Sequence, residues 1–148
     1  MNETNKATEF KISATGHFVP SVKIECSKDS ADFAKSFYHD DIAIYESAFI
    51  ILLNNARKVI GWAKIAQGGV ASTLVDIRII AKYAIDTLAT GVVFVHNHPS
   101  GNLRTSIPDD RLTERLKEGL KTLDIHLVDS IILAPGGGYL SYADEGRL

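Results

Sequence analysis

Residues 42–54, IAIYESAFIILLN, constrain the fold most, because after Ser47 an extended backbone there carries apolar side chains on both faces. A strand of that kind has to be covered on both sides, which calls for helices packed against a sheet. Asn54, Asn55 and Ala56 read as a turn, so residues 58–67 are expected to return as a hairpin partner ended by Gly68 and Gly69. Leu74, Ile77, Ala81, Ala84, Ile85 and Leu88 recur at helical spacing, predicting an amphipathic helix over 74–89 with Ser72 or Thr73 near its cap. Gly91 releases the chain into a short buried strand, Val92 to Val95, followed by the turn-rich HNHPSGNLRTS. A second helix follows, with Leu112, Leu116, Leu120 and Leu123 on one stripe. Residues 125–134 read as a strand, 135–138 as a glycine turn and 139–142 as its antiparallel partner. This order mixes hairpins with crossovers and predicts an α/β sandwich, a mixed β-sheet flanked by helices.

The first third is less patterned. Residues 1–8 are polar and are expected to fray. Phe18, Val22, Ile24 and Cys26 alternate as in a strand pair or a single edge strand, with Pro20 favouring an edge. Ser27 and Ser30 can cap a short helix carrying Phe33, Ala34 and Phe37. With 148 residues, one core is expected: residues 1–40 form an N-terminal extension of the same compact unit, and 41–148 form the main domain.

Composition narrows the chemistry. Sixteen basic against eighteen acidic side chains leave a formal charge of -2, which removes the electrostatic footprint of a dedicated nucleic-acid binder and predicts weak nucleic-acid binding. Cys26 is the only cysteine, so a transition-metal site must be built from histidines and carboxylates. No apolar run reaches the length of a membrane span, and the first residues lack the apolar stretch of a signal peptide, so a cytoplasmic location without membrane contact is expected. Oligomeric state is left open.

Against that background His96 and His98 stand out. Side chains at i and i+2 of an extended segment point to the same side, so both imidazoles can reach one point beyond the VVFV strand. Seven residues separate His98 from Ser106 and two separate Ser106 from Asp109, which falls in the first turn of the second helix and can fold back as a third ligand. Two imidazole nitrogens and a carboxylate oxygen with an open fourth position make a catalytic zinc site, one ion per chain. Asp110 is the competing third ligand. Ser106, Pro108 and Asp109 also make a good helix start, a reading compatible with the metal site.

The pattern His-x-His-x7-Ser-x2-Asp resembles the signature of the JAB/MPN metalloprotease superfamily. The HNHPSG at His96 and the GGGYLSYADEG near the C-terminus resemble its RadC-like branch. The similarity covers residues 46–148 and implies a JAB/MPN sandwich of the cytidine-deaminase-like kind. It also implies a zinc-dependent hydrolase, a metallopeptidase or isopeptidase acting on a peptide or protein substrate. An upstream glutamate belongs to the pattern; Glu46 is the natural match and Glu25 the alternative. By the same resemblance His96, His98 and Asp109 hold the metal, Glu46 moves the proton of a water, and Ser106 hydrogen-bonds the developing oxyanion. The branch is named for DNA repair, so a DNA-repair or mobile-element accessory protein acting by binding, or a metal-dependent nuclease, is the runner-up. Full-length relatives carry a helix-hairpin-helix segment that is not readable here, which lowers that expectation.

Other uses of His-x-His fit less well. A metallo-β-lactamase would continue with Asp-His, where Pro99 and Ser100 stand; an amidohydrolase barrel needs about 250 residues. Cupins are all-β. His17 and His39 are expected at the surface, Glu114 and Glu118 solvated on the second helix, His126 and Asp129 structural, and Trp62 in the core.

Overall fold

A computed structural model describes residues 7–11, 13, 20–68 and 74–148. Strands β1 (Ser47–Leu53), β2 (Val59–Gln67), β3 (Gly91–Asn97), β4 (His126–Leu133) and β5 (Tyr139–Ser141) form a mixed sheet in the order β2-β1-β3-β4-β5. Only β3 and β4 pair in parallel, and α3 (Ile107–Lys121) is the crossover between them. Helices α1 (Ser27–Lys35) and α2 (Ile77–Asp86) complete the sandwich.

The two-residue period of the strands divides the core into two layers. Ala48, Ile50 and Leu52 of β1 join Val92 and Phe94 of β3 beneath Ile80 and Ala84 of α2 and Leu116 and Leu120 of α3. Phe49, Ile51 and Leu53 join Val93, Val95, Ile131 and Leu133 beneath Ala31 and Ala34 of α1. Every residue of β1 is buried, as a strand covered on both faces requires. Each fully buried Ile or Leu stabilises the fold by about 1.5–3 kcal/mol, so this strand is the main apolar anchor.

Several elements differ from expectation for local reasons. Within 20–26 there is no strand: Lys23 makes a single bridge to Lys58, and the backbone then turns into α1, whose N-cap is Cys26 rather than a serine. Asp29 accepts from the Glu25 and Cys26 N–H groups at 2.9 and 3.2 Å, fixing that start. The strand expected from Ile42 begins only at Ser47, because residues Asp40–Ala43 form a 3-10 turn. Glu46 therefore stands just ahead of β1 rather than inside it. Helix α2 starts at Ile77, capped by the Asp76 carboxylate, and ends at Asp86. Its buried residues are Ile80 and Ala84, while Ile85 and Leu88, assigned to the apolar stripe, are exposed. Leu88 has left the helix at φ 53°. Leu123 likewise lies past the end of α3 and is exposed. Trp62 is 52% exposed and not core: β2 is an edge strand, and the Trp62 indole stacks on Phe37 at 4.3 Å with its other side open. The expectations for residues 1–6, His17, Phe18, Gly69, Ser72 and Thr73 lie outside the described residues.

Asp129 is buried on β4 and accepts from Ser130 N–H, Ser141 Oγ and Ala143 N–H at 2.7, 2.5 and 3.0 Å, which ties the C-terminal segment to the sheet. His126 at the start of the same strand is exposed. No helix among the described residues is long and apolar enough to cross a membrane.

Candidate metal centre

The ends of three elements meet above the sheet. In β3 the side chains of Val92, Phe94 and His96 share the face covered by α2 and α3, so His96 continues an apolar row with an imidazole. Ala48 lies opposite His96 in the β1–β3 register, and extending that register by two residues sets Glu46 opposite His98. The parallel neighbour β4 and the N-terminus of α3 close the third side. Ligand sites in α/β sheets form at such carboxyl ends of parallel strands.

Among the described residues Glu46, His96, His98 and Asp109 form one group, each offering a donor atom, and these four atoms lie within 4.8 Å of one another. The Nε2 atoms of His96 and His98 stand 3.2 Å from the two carboxylate oxygens of Asp109. His96 is 4% exposed, yet among the described residues neither of its ring nitrogens has a hydrogen-bond partner; the approach of Asp109 to Nε2 lacks the alignment of a hydrogen bond. A buried imidazole with no partner costs folding free energy unless another atom completes it. Nδ1 of His98 lies 2.6 Å from the Asn102 carbonyl, which fixes the proton on Nδ1 and turns the Nε2 lone pair toward the centre. Gly101, at φ 81°, allows the tight turn that returns its N–H to the His98 carbonyl at 2.9 Å. The donor set therefore fits a divalent ion.

Charge in the cluster points the same way. Burial opposes ionisation of Asp109, but the two imidazoles and the Ser106 N–H outweigh it and hold the carboxyl well below the usual carboxylate range. Asp109 in turn raises His98 above the ordinary imidazole value, against partial burial and with help from the Asn102 carbonyl. Burial pushes the Glu46 carboxyl up, and the neighbouring histidines pull it partly back. The site attracts positive charge, so protons compete with a metal for it.

Ser106 is the N-cap of α3. Its Oγ accepts from Asp109 N–H at 3.1 Å, while Asp109 Oδ2 accepts from Ser106 N–H at 2.9 Å. The cap thus orients the Asp109 carboxylate, and the serine hydroxyl proton remains available to the cleft that Ser106 lines. The competing ligand Asp110 points elsewhere: it accepts from Tyr142 OH at 2.7 Å and pairs with Arg147 at 2.7 Å. Glu25 pairs with Lys23 at 2.9 Å, away from the group. Glu114, Glu118 and His39 are exposed.

One residue of the site escaped the sequence reading. Asn97, between the two histidines, is fully buried on the opposite face of β3. Its Oδ1 accepts from Ser47 N–H at 2.8 Å, and its Nδ2 donates to the Ile42 and Tyr45 carbonyls at 2.7 and 2.8 Å. The amide therefore clamps the backbone on both sides of Glu46. The signal was a polar residue at an inward position of a buried strand, which must find partners. Asn97→Ala leaves one donor and two acceptors without partners at about 1–3 kcal/mol each, so a loss of about 3 kcal/mol or more is expected. Urea unfolding would read it as a lower midpoint with an unchanged slope.

The chain matches the sequence profile of the RadC-like JAB domain over residues 24–147. It is 36% identical over 124 residues to a UPF0758 protein of Flavobacterium johnsoniae, covering 84% of this chain and 53% of that protein. A UPF0758 protein of Porphyromonas gingivalis is 39% identical over 103 residues, covering 70% of this chain and 45% of its own length. A third, from Vibrio cholerae, is 34% identical over 119 residues, covering 79% and 74%. The chain thus spans about half the length of the Flavobacterium and Porphyromonas relatives.

Proposed function

The chain belongs to the RadC-like JAB domain family, and we propose that it is a zinc-dependent hydrolase of peptide or isopeptide bonds. The observation that carries this reading is the partnerless, buried imidazole of His96 facing His98, Asp109 and Glu46 within one group of donors. His96, His98 and Asp109 would hold the ion, and zinc suits two imidazoles and a carboxylate with an open position. When bound, zinc supplies Lewis acidity, lowering the pKa of a water to about 7 and polarising a carbonyl. Glu46, whose proton affinity is raised by burial, accepts a proton from water and delivers it to the departing amine nitrogen. The Ser106 hydroxyl donates to the oxygen on which charge develops. Asn102 keeps the His98 ring in the tautomer that presents Nε2.

The test is cleavage of a mixed peptide library by zinc-loaded protein, read by mass spectrometry, with chelator-treated protein as the control. Zinc-dependent products with new amino termini are expected; their absence, with zinc bound, would overturn the reading. Fluorescence anisotropy with duplex and single-stranded DNA at two salt concentrations addresses binding of DNA instead. Given the slight acidic excess, the expected Kd is no tighter than about 10⁻⁴ to 10⁻⁶ M at physiological salt. Nanomolar binding that persists at about 150 mM salt would favour a DNA-directed role.

A further inference from the structure

We propose that the cleft beside the metal centre selects a substrate carboxylate, received by Arg111 and Arg115. This rests on the peptide-hydrolase reading and names the substrate class for it. A cavity of about 700 Å³ runs from Glu46, His96, His98 and Asp109 along α3, and both arginines line it. They stand one helical turn apart and are exposed. Among the described residues neither guanidinium is in an ion pair.

The carboxylates near them are engaged elsewhere. Asp76, which borders a second hollow together with Arg115, accepts from the Arg78 backbone and guanidinium at 2.9, 3.1 and 2.8 Å. Asp110 is held by Tyr142 and Arg147, and Asp109 by the histidines. Glu114 and Glu118 are exposed and make no pair with either arginine. Two unmatched forks on one wall fit a carboxylate, which a guanidinium binds with two parallel hydrogen bonds.

The rest of the wall favours a peptide over a nucleic acid. Leu74, Val75 and Leu112 contribute apolar surface, suited to a side chain next to the carboxylate. Apart from the histidines, the aromatic residue that the described residues give the lining is Phe94, which is 1% exposed and offers no face for stacking a base. Arg115 lies six residues beyond Asp109, about 9 Å along the helix axis. Arg111 lies two residues beyond Asp109, about 3 Å along the axis, so the two guanidiniums would receive a carboxylate within a few extended residues of the bond over the metal ligands.

The experiment measures binding, so that it reads out whether or not hydrolysis is found. Zinc-loaded Glu46→Gln protein is titrated with dye-labelled Leu-rich hexapeptides that differ only in Glu against Gln at one position. A second pair differs in a free against an amidated C-terminus, which separates a side-chain from a terminal carboxylate. One carboxylate-bearing peptide is expected to bind about tenfold or more tighter than its neutral partner. In the Arg111→Ala/Arg115→Ala double variant that ratio should fall to about one, with the neutral peptide's Kd within about twofold of its former value. Both side chains are exposed, so circular dichroism should show the fold intact. Equal affinity within both pairs, a ratio that survives the double variant, or no binding of any peptide would each overturn the proposal. So would a short single-stranded DNA that displaces the peptides through the same arginines. Failure of the cleavage screen alone would count against the hydrolase reading and leave this ratio measurable.

Discussion

Protein purified without chelator should carry close to one zinc ion per chain, and His96→Ala or His98→Ala should bring that content near zero. The expectation follows from geometry: a catalytic zinc site needs three protein ligands, and only two would remain. Among the described residues the His96 ring nitrogens have no hydrogen-bond partner, so His96→Ala strands none, although it takes one of the two imidazoles from beside the Asp109 carboxylate and leaves a cavity where a buried ring stood. Thermal unfolding of the metal-free proteins should accordingly show His96→Ala still folding cooperatively, at a lower midpoint than the unsubstituted chain, so that its loss of metal is read on folded protein. Asp109→Ala should lose metal as well, whereas Asp110→Asn, whose side chain is tied to Tyr142 and Arg147, should keep it. Plasma emission spectrometry on the gel-filtered proteins decides the matter. Equal metal in the unsubstituted protein and both histidine variants would remove the centre, and with it the proposed reaction.

How much of this was legible in the sequence depended on where each residue's constraint came from. β1, β3 and the β4–β5 hairpin follow local pattern, since uninterrupted apolar runs bounded by Asn, Gly and Pro leave few alternatives. Histidine spacing was equally local: alternation across β3 and a capped helix start are enough to aim His96, His98 and Asp109 toward one another. What failed was decided at a distance. Residues 42–46 read as strand because Ile42, Ile44 and Tyr45 suit one, but the Asn97 side chain holds the Ile42 and Tyr45 carbonyls and keeps the segment out of the sheet. The helical spacing from Leu74 to Leu88 takes in two residues that lie outside the helix Asp76 caps, and the face that helix buries is that of Ile80 and Ala84. Trp62 reads as core by its type, whereas its exposure follows from where α1 and Phe37 end above the edge strand.

Glu46→Gln should retain the metal and the fold yet lose catalysis by about 10²-fold or more. Gln keeps the size of the side chain and can hydrogen-bond a water, but it cannot accept its proton. The position is set by backbone contacts on both sides, Tyr45 and Ser47 to Asn97, which the substitution leaves in place. Burial has already raised the carboxyl above its ordinary value, so Gln also removes a partly buried charge and should not destabilise the protein. The rate is read as kcat/KM on whichever peptide the cleavage screen identifies, alongside zinc content. The competing role is explicit in the geometry, because the Glu46 oxygen lies within the same 4.8 Å group as the other three donors and could itself bind the ion. A variant that loses zinc in proportion to its loss of activity would make Glu46 a ligand. A variant that keeps both zinc and rate would remove it from the reaction altogether, and the proton would have to leave through another group.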